Sequence, residues 1–345
     1  LEINIKNIIK NYNFFKKLKK NLIVAPTIKA NSYGLGDKTI FKTLLKYNCK
    51  HFFVATLEEG IKLNNKNKKI NIFVLNGLQD YDHKLFTRHN LIPIINTLSE
   101  LKRINKTNNN FGLHIDTGIN RLGIHYNDIP KSIFNNKKIK IVISHLASAD
   151  EIYNSYNKIQ KKRFLNISNK FNNENIIFSL SNSNGAVLSN KFLFNMIRPG
   201  IGLYGGSNNN KLLKKYVKPV VKLTGKIIQI KTINKNEYIG YNQTFKTKKN
   251  IKIAIIGAGY ADGIPRKLSN KGVVYYKNNK FRIIGRISMD SFTIDISYSI
   301  HKLKVGTYIE LINNENSIDS FANQCNTISN EVITSIGSRA KIIYV

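Results

Sequence analysis

The sequence predicts an α/β protein: an N-terminal (β/α)8 barrel of the TIM type followed by a C-terminal, mainly antiparallel β domain. Three observations carry this expectation. Up to about residue 218, short β-branched apolar runs alternate eight times with longer, lysine-studded amphipathic stretches, as parallel strands joined by crossover helices do. Beyond that point, strand-like runs follow one another with only turns between them. Residues able to do chemistry stand at the ends of several barrel runs, where this architecture places its sites.

Taken in order, residues 1–5 read as a short strand and the rest of 1–20 as a packed helix with Ile5, Ile8, Ile9 and Phe15 as a possible apolar stripe. The same basic, amphipathic opening could mimic a transit peptide or a membrane-surface helix. Barrel strands are expected at 22–30, 52–56, 71–76, 91–96, 111–116, 139–145, 176–182 and 195–198. Between 155 and 171, Phe164, Ile167 and Phe171 fall at helical spacing. The later strands are expected at 220–230, 251–257, 272–276, 281–287, 292–296 and 307–312, with a helix at 317–325. The boundary falls near 216–220. This gives a barrel of residues 1–218 and a β domain of 219–345, with strand 1–5 a candidate to pack on the second.

The net charge of +35 first points to nucleic acid or an anionic membrane surface. Yet only 9 of the 55 cationic residues are arginine, and the lysines spread through Lys-Asn-Ile-rich loops such as 62–69 and 246–252. A nucleic-acid module would carry arginine forks and a basic stripe; no helix-turn-helix, finger spacing or RNP-type run is present. The charge therefore reads as solvated surface, with loose polyanion binding at low salt as a side effect. The two cysteines, Cys49 and Cys325, form neither a CxxC pair nor a metal spacing, which points to free thiols in a reducing cytosol. No apolar stretch approaches 18 residues, so no transmembrane helix is expected.

Lys29 ends an apolar run, Asn21-Leu-Ile-Val-Ala-Pro-Thr-Ile-Lys29. An ammonium among apolar groups loses proton affinity and becomes a Schiff-base former or a proton shuttle. The alternative is a strand-end lysine snorkelling to solvent. Other run ends carry Asp116 with Arg121 beyond it, His145, Ser183 and Arg198. Gly34-Leu-Gly36 mimics part of a dinucleotide fingerprint, but the third glycine and the acidic partner are missing.

Eight blocks in order resemble the alanine racemases, fold-type III pyridoxal-phosphate enzymes. They are Thr27-Ile-Lys-Ala-Asn-Ser-Tyr-Gly-Leu-Gly36, Asp116-Thr-Gly-Ile-Asn-Arg-Leu-Gly123, Ser144-His-Leu-Ala-Ser-Ala-Asp150, Ser181-Asn-Ser183, Ile197-Arg-Pro-Gly-Ile-Gly-Leu-Tyr-Gly205, Gly240-Tyr241, Gly259-Tyr-Ala-Asp-Gly-Ile-Pro-Arg266 and Gly285-Arg-Ile-Ser-Met-Asp290. The resemblance implies pyridoxal 5'-phosphate as cofactor, L- and D-alanine as substrates, a head-to-tail homodimer with shared sites, and a cytoplasmic enzyme whose D-alanine feeds peptidoglycan. No metal, specific nucleic acid or membrane partner is implied.

By the same resemblance, Lys29 holds the cofactor and serves as the base on one face. Tyr241, from the partner subunit, is the base on the other. An unperturbed tyrosine is a poor base at neutral pH, so it needs a neighbour such as His145 and nearby positive charge. Arg198 matches the residue facing the pyridine nitrogen, where the related decarboxylases place a carboxylate. Tyr33, Ser183 and the N–H groups of Gly200 and Ile201 match a phosphate cradle, Arg121 and Met289 substrate binding, and Tyr260, Arg286 and Asp290 a substrate corridor. Read singly, these residues have plainer roles: a core histidine for His145, a turn tyrosine for Tyr241, a strand-end ion pair for Arg198 and core filling for Met289.

Two positions depart from the family pattern. His114 stands where many members carry a carbamylated lysine that orients the arginine; a histidine could accept a hydrogen bond from Arg121. Asn330 replaces a tyrosine that lines the site, so a roomier pocket or weaker cofactor retention is expected. The rival readings are a racemase of wider range acting on serine or lysine, a fold-type III decarboxylase, and a basic nucleic-acid-binding protein.

Overall fold

β-branched and aromatic residues decide where this chain extends. A computed structural model of the protein describes residues 1–63, 67–78 and 83–345. Of the lysine-rich loop at 62–69, residues 64–66 lie outside the described residues. Each of the eight barrel runs contains a strand: Ile23–Val24, His51–Val54, Asn71–Val74, Leu91–Ile95, Phe111–Asp116, Ile139–Ile143, Ile177–Ser179 and Met196–Ile197. From His51–Val54 to Ile177–Ser179 they pair in sequence order, all parallel. Met196–Ile197 pairs with Ile23–Val24, and bridges at Thr27–Phe53 and Asn182–Arg198 close the ring. The barrel interior packs Ala25, Phe53, Phe73, Ile94, Ile141, Ile143 and Met196.

The described residues divide into two compact units, Asn7–Lys218 and Leu1–Lys6 with Pro219–Val345. In the first, the opening helix Ile5–Lys16 buries Ile8, Asn11, Tyr12 and Phe15. Asn11 clamps the end of the unit: its side-chain amide donates to the Leu203 and Lys218 carbonyls and accepts from the Lys218 N–H. The opening stretch is thus a packed helix.

The expected helix at 155–171 spans Tyr156–Ser168. Phe164 and Ile167 face inward, while Phe171 lies beyond its end, edge-on to Phe134. The inward positions of its first turns are polar, Asn157 and Gln160, and are spent on loop backbone. An apolar-stripe reading cannot see such positions.

In the second unit, pairing runs from Ile251–Ile256 through Phe292–Asp295, Asn279–Ile284, Val273–Tyr276, Tyr308–Ile312 and Val221–Ile233 back to Ile251–Ile256. Every one of these pairings is antiparallel, so six strands close into a second ring. The 13-residue strand Val221–Ile233 spans two partners by shifting register along its length. Its start also pairs antiparallel with Glu2–Ile3, which in turn pairs with Ile343–Tyr344. Ile239, Ile251, Ile253 and Ile284 fill one end.

Phe53 joins the barrel core to its rim. It is fully buried, stacks on Phe73 at 4.9 Å, and lies 5.8 Å below the Arg198 guanidinium. Phe53→Ala is expected to cost about 3–5 kcal/mol in urea unfolding. A loss below about 1 kcal/mol would show that the ring is not part of the packed core.

Candidate active site

The carboxyl ends of the barrel strands carry Lys29, Asp116, His145, Ser183 and Arg198, the rim at which such barrels build sites. Lys29 follows a segment held on both sides. Ala25 and Thr27 donate N–H bonds to the Ile197 and Pro199 carbonyls, and Ile28 donates to the Phe53 carbonyl. The chain then enters a left-handed turn in which Ala30, Asn31 and Ser32 have φ of 51, 54 and 54°, Tyr33 59° and Gly34 84°. Left-handed backbone costs a side-chain-bearing residue roughly 1–2 kcal/mol. The turn is closed by Gly34 N–H to the Ala30 carbonyl, Gly36 N–H to the Asn31 carbonyl and Asp37 N–H to Asn31 Oδ1. Burial lowers the Lys29 pKa, the Arg121 charge lowers it further, and Glu59 opposes both.

Arg198 is buried, and its donors meet only strand-end oxygens. Nη1 donates to the Ser179 carbonyl at 2.7 Å and Ser179 Oγ at 2.5 Å; Nη2 donates to the Ser144 and Leu180 carbonyls. No carboxylate pairs with it among the described residues. A strand-end ion pair is therefore not what holds it. Its Nε–H makes no hydrogen bond among the described residues. Burial brings its pKa down to about 9, which leaves it charged at neutral pH.

The imidazoles beside it are neutral. His145 is held well below the usual histidine range, first by burial and then by the Arg198 and Arg121 charges, with Lys29 adding to them. Gln160 fixes its backbone, donating to the His145 carbonyl at 3.0 Å and accepting from the Ala147 N–H. His114 is pushed down to about 3 by burial and then by Arg198. Asn96 spends its amide N–H groups on the Leu75 and Ile94 carbonyls, so its Oδ1 accepts from His114 Nδ1–H at 2.9 Å. His114 Nε2 is left as a buried acceptor without a partner, and Arg121 does not bond it. Asp116 Oδ1 gathers the Gly118, Ile119 and Asn120 N–H groups and shapes the turn that presents Arg121, which is exposed.

Ser183 Oγ accepts from the Gly200 and Gly202 N–H groups at 2.9 and 3.0 Å. The Gly200 N–H expected to face an anion is thus engaged by Ser183. The Ile201 N–H, Tyr33 O–H and Ser183 O–H have no acceptor among the described residues. Burial pushes the Tyr33 phenol up to about 12, so it keeps its proton. A Cβ on Gly200 would lie 2.2 Å from the Tyr33 hydroxyl, so only glycine admits that phenol.

The other expected residues lie in the second unit. Tyr241 opens the turn Tyr241–Gln243 and is 66% exposed. Gly240 and Gly285, at φ of 78 and 72°, let two loops meet backbone to backbone. Arg286 Nη1 donates to Asn242 Oδ1 at 2.8 Å. Tyr260 and Ala261 donate N–H bonds to the Ser288 and Met289 carbonyls, and Arg339 pairs with Asp290 and Asp262. Tyr241, Tyr260, Arg286, Met289 and Asp290 are thereby tied into one loop cluster. Met289 is 52% exposed rather than core, and its N–H has no acceptor among the described residues. Asn330 is half-buried in the helix Ser329–Ser335. Sequence reasoning missed Asn96, Gln160 and Ser179, which act by hydrogen bonding inside the rim.

An eight-stranded parallel barrel whose rim holds a lysine, a buried arginine and unspent donors defines a barrel enzyme built for an anionic ligand. Residues 3–208 match the family model described as alanine racemase, N-terminal domain, and residues 220–344 match alanine racemase, C-terminal domain. The chain is 39% identical to an alanine racemase of Rickettsia bellii, covering 94% of this chain and 82% of the relative. It is 37% identical to one of Rickettsia africae, covering 100% and 98%. Its structure is similar to that of Bartonella henselae alanine racemase with covalently bound pyridoxal phosphate, at a TM-score of 0.93, 32% identity and coverage of 100% and 98%. The chain belongs to the alanine racemase family.

The depressed histidines link stability to pH. An unfolded histidine takes up a proton near pH 6.5 that folded His114 refuses until about 3. Stability is therefore unaffected by this group above 6.5 and falls as pH drops from 6.5 toward 3. His51, lowered to about 4, acts in the same sense. Between pH 6.5 and 5 the unchanged protein is expected to lose about 1.5–2 kcal/mol more than His114→Gln in denaturant unfolding. Equal losses would show that His114 titrates normally.

Proposed function

We propose that this protein is an alanine racemase that interconverts L- and D-alanine with pyridoxal 5'-phosphate. One observation carries the reading: a lysine of lowered pKa shares a barrel rim with unspent Tyr33, Ser183 and Ile201 donors and a buried, uncompensated Arg198. The family membership supports it, and so does the covalently bound cofactor of the Bartonella relative. Bound pyridoxal phosphate supplies an electron-withdrawing ring that makes the amino acid's α-proton removable.

The chain's own groups supply the rest. Lys29 attaches the cofactor and handles the proton on one face. Tyr33, Ser183 and Ile201 hold the phosphate with two hydroxyls and one amide, the usual anion-binding chemistry of a small-residue rim. Arg198 would have its remaining Nε–H to offer to the ring nitrogen of the bound cofactor. A permanent cation there does not share a proton as a carboxylate would, which argues against the decarboxylase reading. Neutral His145 offers one donor and one acceptor to the second base.

Tyr241 is that second base, and it comes from a second copy of the chain, as does the Met289 N–H that receives the substrate carboxylate beside Arg121. The exposure of both residues supports a homodimer with shared sites. Tyr260, Arg286 and Asp290 line the approach. In a bacterial cytosol the D-alanine would enter peptidoglycan precursors. A wider substrate range is the second reading, motivated by the short Asn330 side chain where the family pattern has a tyrosine. A panel of alanine, serine and lysine enantiomers separates the two.

Lys29→Ala is expected to abolish both racemisation and the visible absorbance of the bound cofactor. Full activity in that variant refutes the assignment. Tyr241→Ala should slow α-deuterium washout from L-alanine by about 10²–10⁴-fold and leave washout from D-alanine far less affected in single-turnover measurements. Equal loss from both enantiomers removes the two-base assignment.

A further inference from the structure

The left-handed turn after Lys29 is pinned from outside by a residue on another β/α unit. Glu59 Oε1 accepts from the Ala30 N–H at 2.7 Å, while Oε2 accepts from the Ala55 N–H at 2.6 Å. Ala30 is the first left-handed residue of the turn, and Ala55 directly follows the neighbouring strand His51–Val54. Glu59 belongs to a capping box with Thr56, whose hydroxyl accepts from the Glu59 N–H. A capping-box glutamate needs only to reach its own N-cap N–H, which here is the long bond of 3.4 Å. The two short bonds go elsewhere, and one of them crosses to the loop of the preceding strand.

The same device recurs at the next position but one around the ring. Glu100 Oε1 accepts from the Leu78 N–H at 2.9 Å, and Oε2 from the Asn96 and Thr97 N–H groups at 2.7 and 3.1 Å. Leu78 follows Gly77, which is also left-handed at φ of 73°. The sequence repeats accordingly, as Thr56-Leu-Glu-Glu59 and Thr97-Leu-Ser-Glu100. A glutamate that caps its own helix and holds a peptide N–H at or just after a left-handed residue of the loop following the preceding strand is thus a built element of this rim. In one copy the tied loop carries Lys29.

We propose that Glu59 is the positioning residue for Lys29: its carboxylate locks the first peptide of the left-handed turn to the adjacent strand end and so fixes where the lysine side chain departs. The charge of Glu59 also acts on the Lys29 amine, opposing burial and Arg121. Without the tie, Ala30 to Tyr33 have every incentive to relax toward ordinary backbone, and Lys29 moves with them.

This rests on the reading of Lys29 as the cofactor lysine, and the test separates the two. Thr56→Ala removes the cap of the same helix and leaves the Ala30 bond; Glu59→Ala removes both; Glu59→Gln keeps the shape and one acceptor oxygen. Amide hydrogen exchange of the peptide covering residues 29–36, measured without cofactor, is expected to speed up by about tenfold or more in Glu59→Ala, by less in Glu59→Gln, and not in Thr56→Ala. With cofactor added, Glu59→Ala should lower kcat by about tenfold to a hundredfold with KM little changed and shift the visible band, while Thr56→Ala does neither. Should Glu59→Ala fail to fold, Glu59→Gln against Thr56→Ala decides. Equal exchange in the glutamate and threonine variants, or a rise in KM alone, overturns the proposal and leaves Glu59 a helix cap. Failure of borohydride to fix pyridoxal phosphate on Lys29 of the unchanged protein overturns the functional reading, and the exchange comparison still decides the role of Glu59.

Discussion

A permanent positive charge buried at the end of a barrel strand sets the terms for everything around it. Arg198 cannot shed its proton at neutral pH, so its donors must find oxygens, and the converging strand ends supply them. Ser179 gives a carbonyl and a hydroxyl, Ser144 and Leu180 give carbonyls. No carboxylate neutralises it among the described residues, so the field of the guanidinium reaches its neighbours. His145 and His114 answer by staying neutral, and Lys29 holds its proton less tightly under the same burial and the nearby Arg121. A rim with this balance favours an anionic ligand and punishes a cationic one.

Neutral imidazoles have a structural consequence as well. A neutral histidine must be one tautomer or the other, and the network around His114 chooses. The Asn96 amide is committed to two carbonyls, so its oxygen can only accept, and His114 can only donate from Nδ1. Glu100 holds the Asn96 backbone in turn. His114 Nε2 is left as an uncharged buried acceptor in this rim.

Strain is concentrated where the chemistry is proposed. Four consecutive non-glycine residues after Lys29 sit in left-handed backbone, an arrangement that a short polar sequence would not adopt alone. It persists because both flanks are held: strand pairing on one side, and Asn31 with the Glu59 carboxylate on the other. By contrast, the many lysines do little for the fold. They lie mostly on the surface, where an ion pair contributes little.

Much was legible in the sequence by itself. The count and order of the barrel strands, the switch to antiparallel pairing and the candidate residues at strand ends follow from local periodicity and from what each side chain can do. Eight family-like blocks named the chemistry, because catalytic side chains tolerate few substitutes. Tertiary structure alone decided the rest. Hydrogen bonds between residues far apart in the chain, such as Glu59 to Ala30 or Gln160 to His145, leave no periodic trace. The Thr-x-x-Glu spacing at Thr56 and Thr97 stands in the sequence, but nothing in it shows that the glutamates reach across to another loop. The neutrality of His114 and His145, the lack of a carboxylate partner for Arg198 among the described residues and the left-handed turn are collective outcomes of burial and of the charges that closure of the barrel brings together. A linear sequence specifies those only through the fold it makes.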